Sequence, residues 1–135
     1  MTPEVIIFTI PGDAVPFARA GARGKRRFTP RRQADYAAVV KILASRAFAG
    51  REPFDGPVSI AIRATYSVPP SWSAKKKADA RWKTSKPDAD NIFKLVADAI
   101  NKIAYQDDAQ IVDLSVQKQY GPIPGVVVSV TEIAS

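Results

Sequence analysis

Three aspartates and one lysine occupy positions from which they could hydrolyse a phosphodiester. Asp88 and Asp90 stand two residues apart, Lys94 follows Asp90 by four, and Asp108 comes fourteen later. Acids are scarce elsewhere: six of the 13 in the chain fall between Asp88 and Asp113. Phosphodiester cleavage needs a hydroxide-like nucleophile and neutralisation of charge at the phosphate. Mg²⁺ (with Mn²⁺ as a possible substitute) meets both needs, because it binds a few carboxylates plus water and keeps positions open for substrate. Asp88, Asp90 and Asp108 are therefore the expected metal ligands. Lys94 shares a helical face with Asp90 and is expected to stabilise the charge building up on the reacting phosphate. Asp107 and Asp113 are left outside the ligand set.

Each of these residues also has an ordinary structural use. Asp88 after Pro87 suits a helix N-cap, and Asp90 in the first turn suits the helix dipole. Asp107-Asp108 suits a turn, and Lys94 with Asp98 makes an i,i+4 pair. Spacing alone leaves both uses open.

Composition narrows the chemistry. The 135 residues contain no Cys and no His, which rules out disulfides, structural zinc of the usual kind, a Cys nucleophile and any His-based triad. What remains is chemistry by carboxylates, Lys, Arg, hydroxyls and a hard metal ion. With 20 basic residues against 13 acidic, the net charge is +7, which favours a polyanionic partner. Two segments concentrate that charge. The stretch 13–32 is loop-like and glycine-bearing, and Arg19, Arg23, Lys25, Arg26 and Arg27 are expected to follow a phosphate backbone there, unless the run is merely a solvated loop. The stretch 71–86 interleaves Lys75, Lys76, Lys83 and Lys86 with Trp72 and Trp82. These lysines are further candidate DNA contacts. The tryptophans either stack on exposed bases or, as large aromatics more often do, anchor the segment to the core.

The elements that must position these residues follow from periodicity. A β-branched run at 5–10 stopped by Pro11-Gly12 predicts a buried strand. Thr29-Pro30 predicts a helix start, and Tyr36, Val40, Leu43, Ala44 and Ala47 continue it at helical spacing to about Phe48. Alternation from Val58 to Tyr66 predicts a strand with one core face. Ser73 is suited to cap a short helix. The stripe Ile92, Leu95, Val96, Ala99, Ile100, Ile103 predicts a helix over about 89–104. A strand over about 111–120, the turn 121–125 and a closing strand over 126–133 complete the chain, with the last two strands expected to pair antiparallel. The expectation is one α+β domain, a mixed sheet with two main helices on one face, in the order β-α-β-α-β-β. No run is long enough to span a membrane and the start is unlike a signal peptide, so a soluble, cytoplasmic protein is expected.

The stretch Pro87-Asp88-Ala89-Asp90-Asn91-Ile92-Phe93-Lys94, then Asp98-Ala99-Ile100, then Asp107-Asp108-Ala109-Gln110-Ile111 resembles the RusA family of Holliday-junction resolvases, whose pattern is D-x-D-N-x-x-K, D-A-[LI] and D-D-x-Q-[IV]. The likeness extends more loosely to both sides, through Pro16, Arg19 and the 29–36 region upstream and 118–120 downstream. It implies that Asp88 and Asp90 are metal ligands, Asp108 the third catalytic carboxylate and Lys94 the catalytic lysine. It also implies a homodimer that binds branched, four-way DNA and cuts two opposed strands symmetrically with Mg²⁺. The tripeptide Ser85-Lys86-Pro87 before the motif is less basic than the family's usual run, with Lys83 and Lys86 left to grip DNA there. The alternatives are a metal nuclease acting on flaps or duplex DNA, and a non-catalytic basic DNA-binding protein whose aspartates only cap and turn. That last reading requires the three carboxylates to lie far apart.

Overall fold

A computed structural model describes residues 4–18 and 29–133, with the side chains of Thr29 and Pro30 excepted. The elements are β1 (Glu4–Pro11), α1 (Thr29–Phe48), β2 (Val58–Tyr66), the short α2 (Ala74–Asp79), α3 (Ala89–Ile100), a 3₁₀ turn (Asp108–Gln110), β3 (Ile111–Tyr120) and β4 (Gly125–Glu132). This is the expected α+β order with two substantial helices.

Strand alternation sets the layers. Phe8 and Ile10 of β1, Val58, Ile60, Ile62 and Ala64 of β2, and Val126, Val128 and Val130 of β4 are all buried on one side of the sheet. Against them pack Val40, Ala44 and Phe48 of α1 and Ile92, Leu95, Val96, Ala99 and Ile100 of α3. Successive strand residues point to opposite faces, so the same strands expose Thr9, Ala61, Arg63 and Val127 on the other side. Helix α1 ends where Ala49 and Gly50 take positive φ (42° and 80°), a conformation glycine adopts without penalty.

The sheet order is β1-β4-β2-β3. Strand β4 lies antiparallel between β1 and β2, while β3 runs parallel to β2 on the outside. The expected β3–β4 hairpin therefore does not form. Three features explain this outcome. Val126, Val128 and Val130 are fully buried, and pairing with β1 on one side and β2 on the other sets that row in the middle of the helix-covered face. Strand β3 instead carries Asp113, Ser115 and Gln117, and leaves Val112 and Leu114 exposed, which suits an edge. The loop 121–124 contains two prolines, whose fixed φ and missing N–H disfavour the tight two-residue hairpin turns.

The parallel β2–β3 pair needs a long crossover, and α3 supplies it. Helix α3 stops at Ile100, four residues short of the expected end. Asn101 is extended and Lys102 takes a φ of 74°. The chain then turns back, with Ile103 and Ala104 both donating to the Ile100 carbonyl. The apolar stripe continues past the helix only because Ala104 and Tyr105 are buried by this turn, Tyr105 through a 2.7 Å bond from its Oη to Ala97 O.

Candidate functional site

Asp88 occupies the N-cap position of α3, and its backbone carbonyl accepts from the amides of Asn91 and Ile92. Its carboxylate makes no capping hydrogen bond. It turns outward instead, 3.2 and 3.3 Å from the Nζ of the exposed Lys86. The ordinary structural use of an aspartate at this place is thus not taken up. Asp90 follows in the first turn, exposed. Lys94, one turn on, is half-buried beside the Phe17 ring at 4.9 Å and pairs with Asp98 at 3.2 Å.

The loop entering α3 is held from the sheet. Lys118 of β3 donates through Nζ to the carbonyls of Ser85 and Pro87, both at 2.8 Å. The Phe17 amide donates to Asn91 O at 2.9 Å, tying the segment after β1 to the same helix start. Sequence reasoning missed Lys118. The available signal was a lysine in register with buried Ala64, on the helix-facing side of β3.

Asp108 lies elsewhere. It opens the 3₁₀ turn beyond the far end of α3, while Asp88 and Asp90 stand at the near end. A twelve-residue helix spans about 18 Å. Burial pushes the Tyr105 phenol well above its ordinary range, with Asp108 and then Asp98 adding to the rise; Asp108 is therefore a neighbour of the C-terminal part of α3. Among the described residues no group of three acids stands close enough together to hold a metal ion. Within one chain Asp88, Asp90 and Asp108 therefore form no three-carboxylate cage.

The other acids are engaged. Asp107 caps the 3₁₀ turn in a capping box with Gln110, accepting from Ala109 N at 3.1 Å. Gln110 in turn donates to Phe54 O and Gly56 O at 2.8 and 2.9 Å. Asp113 accepts from Ser59 Oγ at 3.3 Å on the open face of the sheet.

Of the candidate DNA contacts, Arg19, Arg23, Lys25, Arg26 and Arg27 lie outside the described residues. Lys75 is exposed and pairs with Asp79 at 3.6 Å. Lys76 and Lys83 build a surface with aromatic rings, while Lys86 pairs with Asp88. Lys76 Nζ lies 4.2 Å from the centre of Trp72, Trp72 meets Tyr120 edge-on at 5.2 Å, and Lys83 Nζ sits 5.5 Å from Tyr120 and 5.0 Å from Tyr66. Trp72 is half-buried and anchored on Tyr120, whereas Trp82 is largely exposed beside Arg81. The two tryptophans thus have different surroundings. Tyr66 and Tyr120 were not singled out in the sequence, since both alternate as core residues of their strands.

Comparison with known families decides the relationship: the family model for endodeoxyribonuclease RusA matches residues 11–131. The chain belongs to the RusA endodeoxyribonuclease family. Among curated relatives, this RusA-family chain is 42% identical over 86 residues to an uncharacterised protein, YqaN, of Bacillus subtilis (strain 168), covering 59% of the chain and 61% of the relative. It is 32% identical over 78 residues to the crossover junction endodeoxyribonuclease rusA of Lactococcus phage r1t, covering 57% of the chain and 56% of the relative. The chain thus spans about three-fifths of the length of these relatives. Among the described residues, no helix of this RusA-family chain is long and apolar enough to cross a membrane.

Proposed function

We propose that the chain is a Mg²⁺-dependent, structure-specific endodeoxyribonuclease that resolves four-way DNA junctions by paired, symmetric cleavage as a homodimer. The observation that carries this reading is the outward Asp88 carboxylate at the head of α3, unspent on capping and followed by Asp90, in a chain of this family.

Mg²⁺, when bound, would supply charge neutralisation at the phosphate and an acidified water. Asp88 and Asp90 would hold it, and Lys86, highly exposed, would yield its contact with Asp88 for a phosphate oxygen. Lys94 reaches the same face as Asp90, and its ammonium stabilises the negative charge that accumulates as water attacks the phosphorus in line. The P–O3′ bond breaks, giving a 5′-phosphate and a 3′-hydroxyl. Lys118 keeps the Ser85–Pro87 backbone in place so that Asp88 stays aimed outward.

Asp108 of the same chain is a helix length away. Its part in the metal site therefore requires a second copy, whose Asp108 approaches the Asp88–Asp90 pair across a two-fold axis. The same separation is what a non-catalytic DNA-binding protein would show, and this favours keeping that as the second reading.

The deciding experiment incubates the protein with a synthetic four-way junction, a flap and a plain duplex, in Mg²⁺ and in Mn²⁺. Symmetric nicks in the junction, abolished by Asp90→Asn, are expected. Equal cutting of flap or duplex removes the junction preference, and no cutting in either metal leaves the non-catalytic reading.

A further inference from the structure

Beside Asp88 lies an open cavity of about 440 Å³, within the roughly 300–1,000 Å³ of pockets that take organic ligands. Its lining mixes two chemistries. Pro87 offers flat apolar surface and Tyr66, 6% exposed, the rim of its ring; Arg32, Lys83 and Lys86 bring cations, and Asp13 and Asp88 are carboxylate acceptors. A purely apolar ligand would leave the charges unanswered, and a bare anion would leave the ring unused. A nucleotide answers both chemistries: a planar base, an anionic phosphate, and donors on the base edge for Asp13, with Asp88 left to the metal of the proposed site.

Two further observations point the same way. The cavity ends the run of alternating rings and ammonium groups described above, since Lys83 faces both Tyr66 in the cavity and Tyr120 outside it, and Tyr120 leads on to Trp72 and Lys76. Ring and cation alternate there as base and phosphate do along a single strand. Hydrogen-bonding capacity is also left over beside the cavity. Tyr36 Oη, close enough to Tyr66 and Asp13 to feel both, is buried without a hydrogen-bond partner among the described residues. Among the described residues, Tyr66 Oη makes a single, long bond, 3.4 Å, to Ala14 O.

We infer that this cavity takes one unstacked nucleotide next to the scissile phosphate, its base against Pro87 and the exposed rim of Tyr66, its edge on Asp13 and its phosphate among Arg32, Lys83 and Lys86. The position relative to the cut bond rests on the nuclease reading; the fit to a nucleotide does not. A base inside a continuous duplex must be unpaired and unstacked to enter, and that is easiest where strands exchange partners. The cavity therefore selects branched DNA over plain duplex through the chain's own shape, independently of two-fold symmetry.

The test measures binding to four-way junctions in Ca²⁺ without cleavage, with a tetrahydrofuran abasic residue placed in turn at each nucleotide near the crossover. Tyr66 belongs to the core, so the protein variant is made at Asp13. Loss of the occupying base is expected to weaken wild-type binding roughly tenfold at one position, in line with the stacking of a single base. Asp13→Ala should weaken binding to the intact junction and add little once that base is gone. Equal tolerance of the abasic residue at every position overturns the inference, as does an Asp13→Ala effect of the same size on intact and abasic junctions. A parallel Mg²⁺ cleavage assay on the unmodified junction separates the two proposals. Cleavage with no position effect removes the cavity's role alone, a position effect without cleavage removes the catalytic reading alone, and absence of binding overturns the cavity's role.

Discussion

Asp88 heads α3 from the N-cap position, but its carboxylate bonds to Lys86 rather than to a backbone amide of the helix. An N-cap aspartate that does not cap contributes little to helix stability, so the residue can be changed without harming the fold.

Asp88→Asn should therefore leave the unfolding midpoint within a degree or two, since Asn serves equally well at an N-cap and loses only an exposed ion pair. Junction cleavage should fall by roughly a hundredfold or more, beyond the range for residues that merely support metal ligands. Thermal melts and single-turnover cleavage check the pair of outcomes. A large stability loss with cleavage intact would contradict the assignment.

The separation of Asp108 from Asp88 gives a mixing experiment. In the proposed homodimer, the Asp88→Asn and Asp108→Asn variants should each be inactive. If the site forms across the two-fold axis, exchanged heterodimers carry one intact site, restoring nicking to roughly a quarter of the wild-type sites. If each site lay within one chain, mixing would restore nothing. Single-strand nicking after subunit exchange reads the difference.

Lys118→Met keeps the aliphatic stem but removes the two 2.8 Å bonds to Ser85 O and Pro87 O. Charged hydrogen bonds are worth about 1.5–3 kcal/mol, less where water can replace them. A loss of about 1–3 kcal/mol in urea unfolding is expected, together with a fall in cleavage rate as the loop before Asp88 loosens. Lys118→Arg should recover part of the rate, because it retains a cation there.

Three phenols set an alkaline limit. Burial raises Tyr36, Tyr66 and Tyr105 far above the ordinary tyrosine range, with nearby acids or phenols adding to it. A raised folded-state value means that the native protein holds its protons longer than the unfolded chain. Stability is thus fully present below about pH 10 and falls as pH rises beyond it, by up to about 1.4 kcal/mol per pH unit for each phenol. Urea unfolding at a series of alkaline pH values should show this slope, reduced in Tyr105→Phe. An unchanged slope in that variant would mean Tyr105 does not titrate differently on folding.

Much of the fold was legible because it depends on periodicity. Val58, Ile60, Ile62 and Ala64 alternate and form a strand with one core face, and the Ile92–Ile100 stripe forms the buried side of α3. Local chemistry was legible for the same reason: the lack of Cys and His, and Asp88, Asp90 and Lys94 within seven residues, depend on composition and on spacing along one helix. Strand order was not legible. Whether Val126–Val130 pair with β3 or lie between β1 and β2 depends on which arrangement buries that row, a comparison among strands distant in the chain. Spacing put Asp108 beyond the far end of α3 but could not show whether the chain brings it back to Asp88, nor that Lys118 reaches back 31 residues to Pro87. Contacts of that kind arise when separate elements pack, and no local pattern encodes the direction in which a crossover returns.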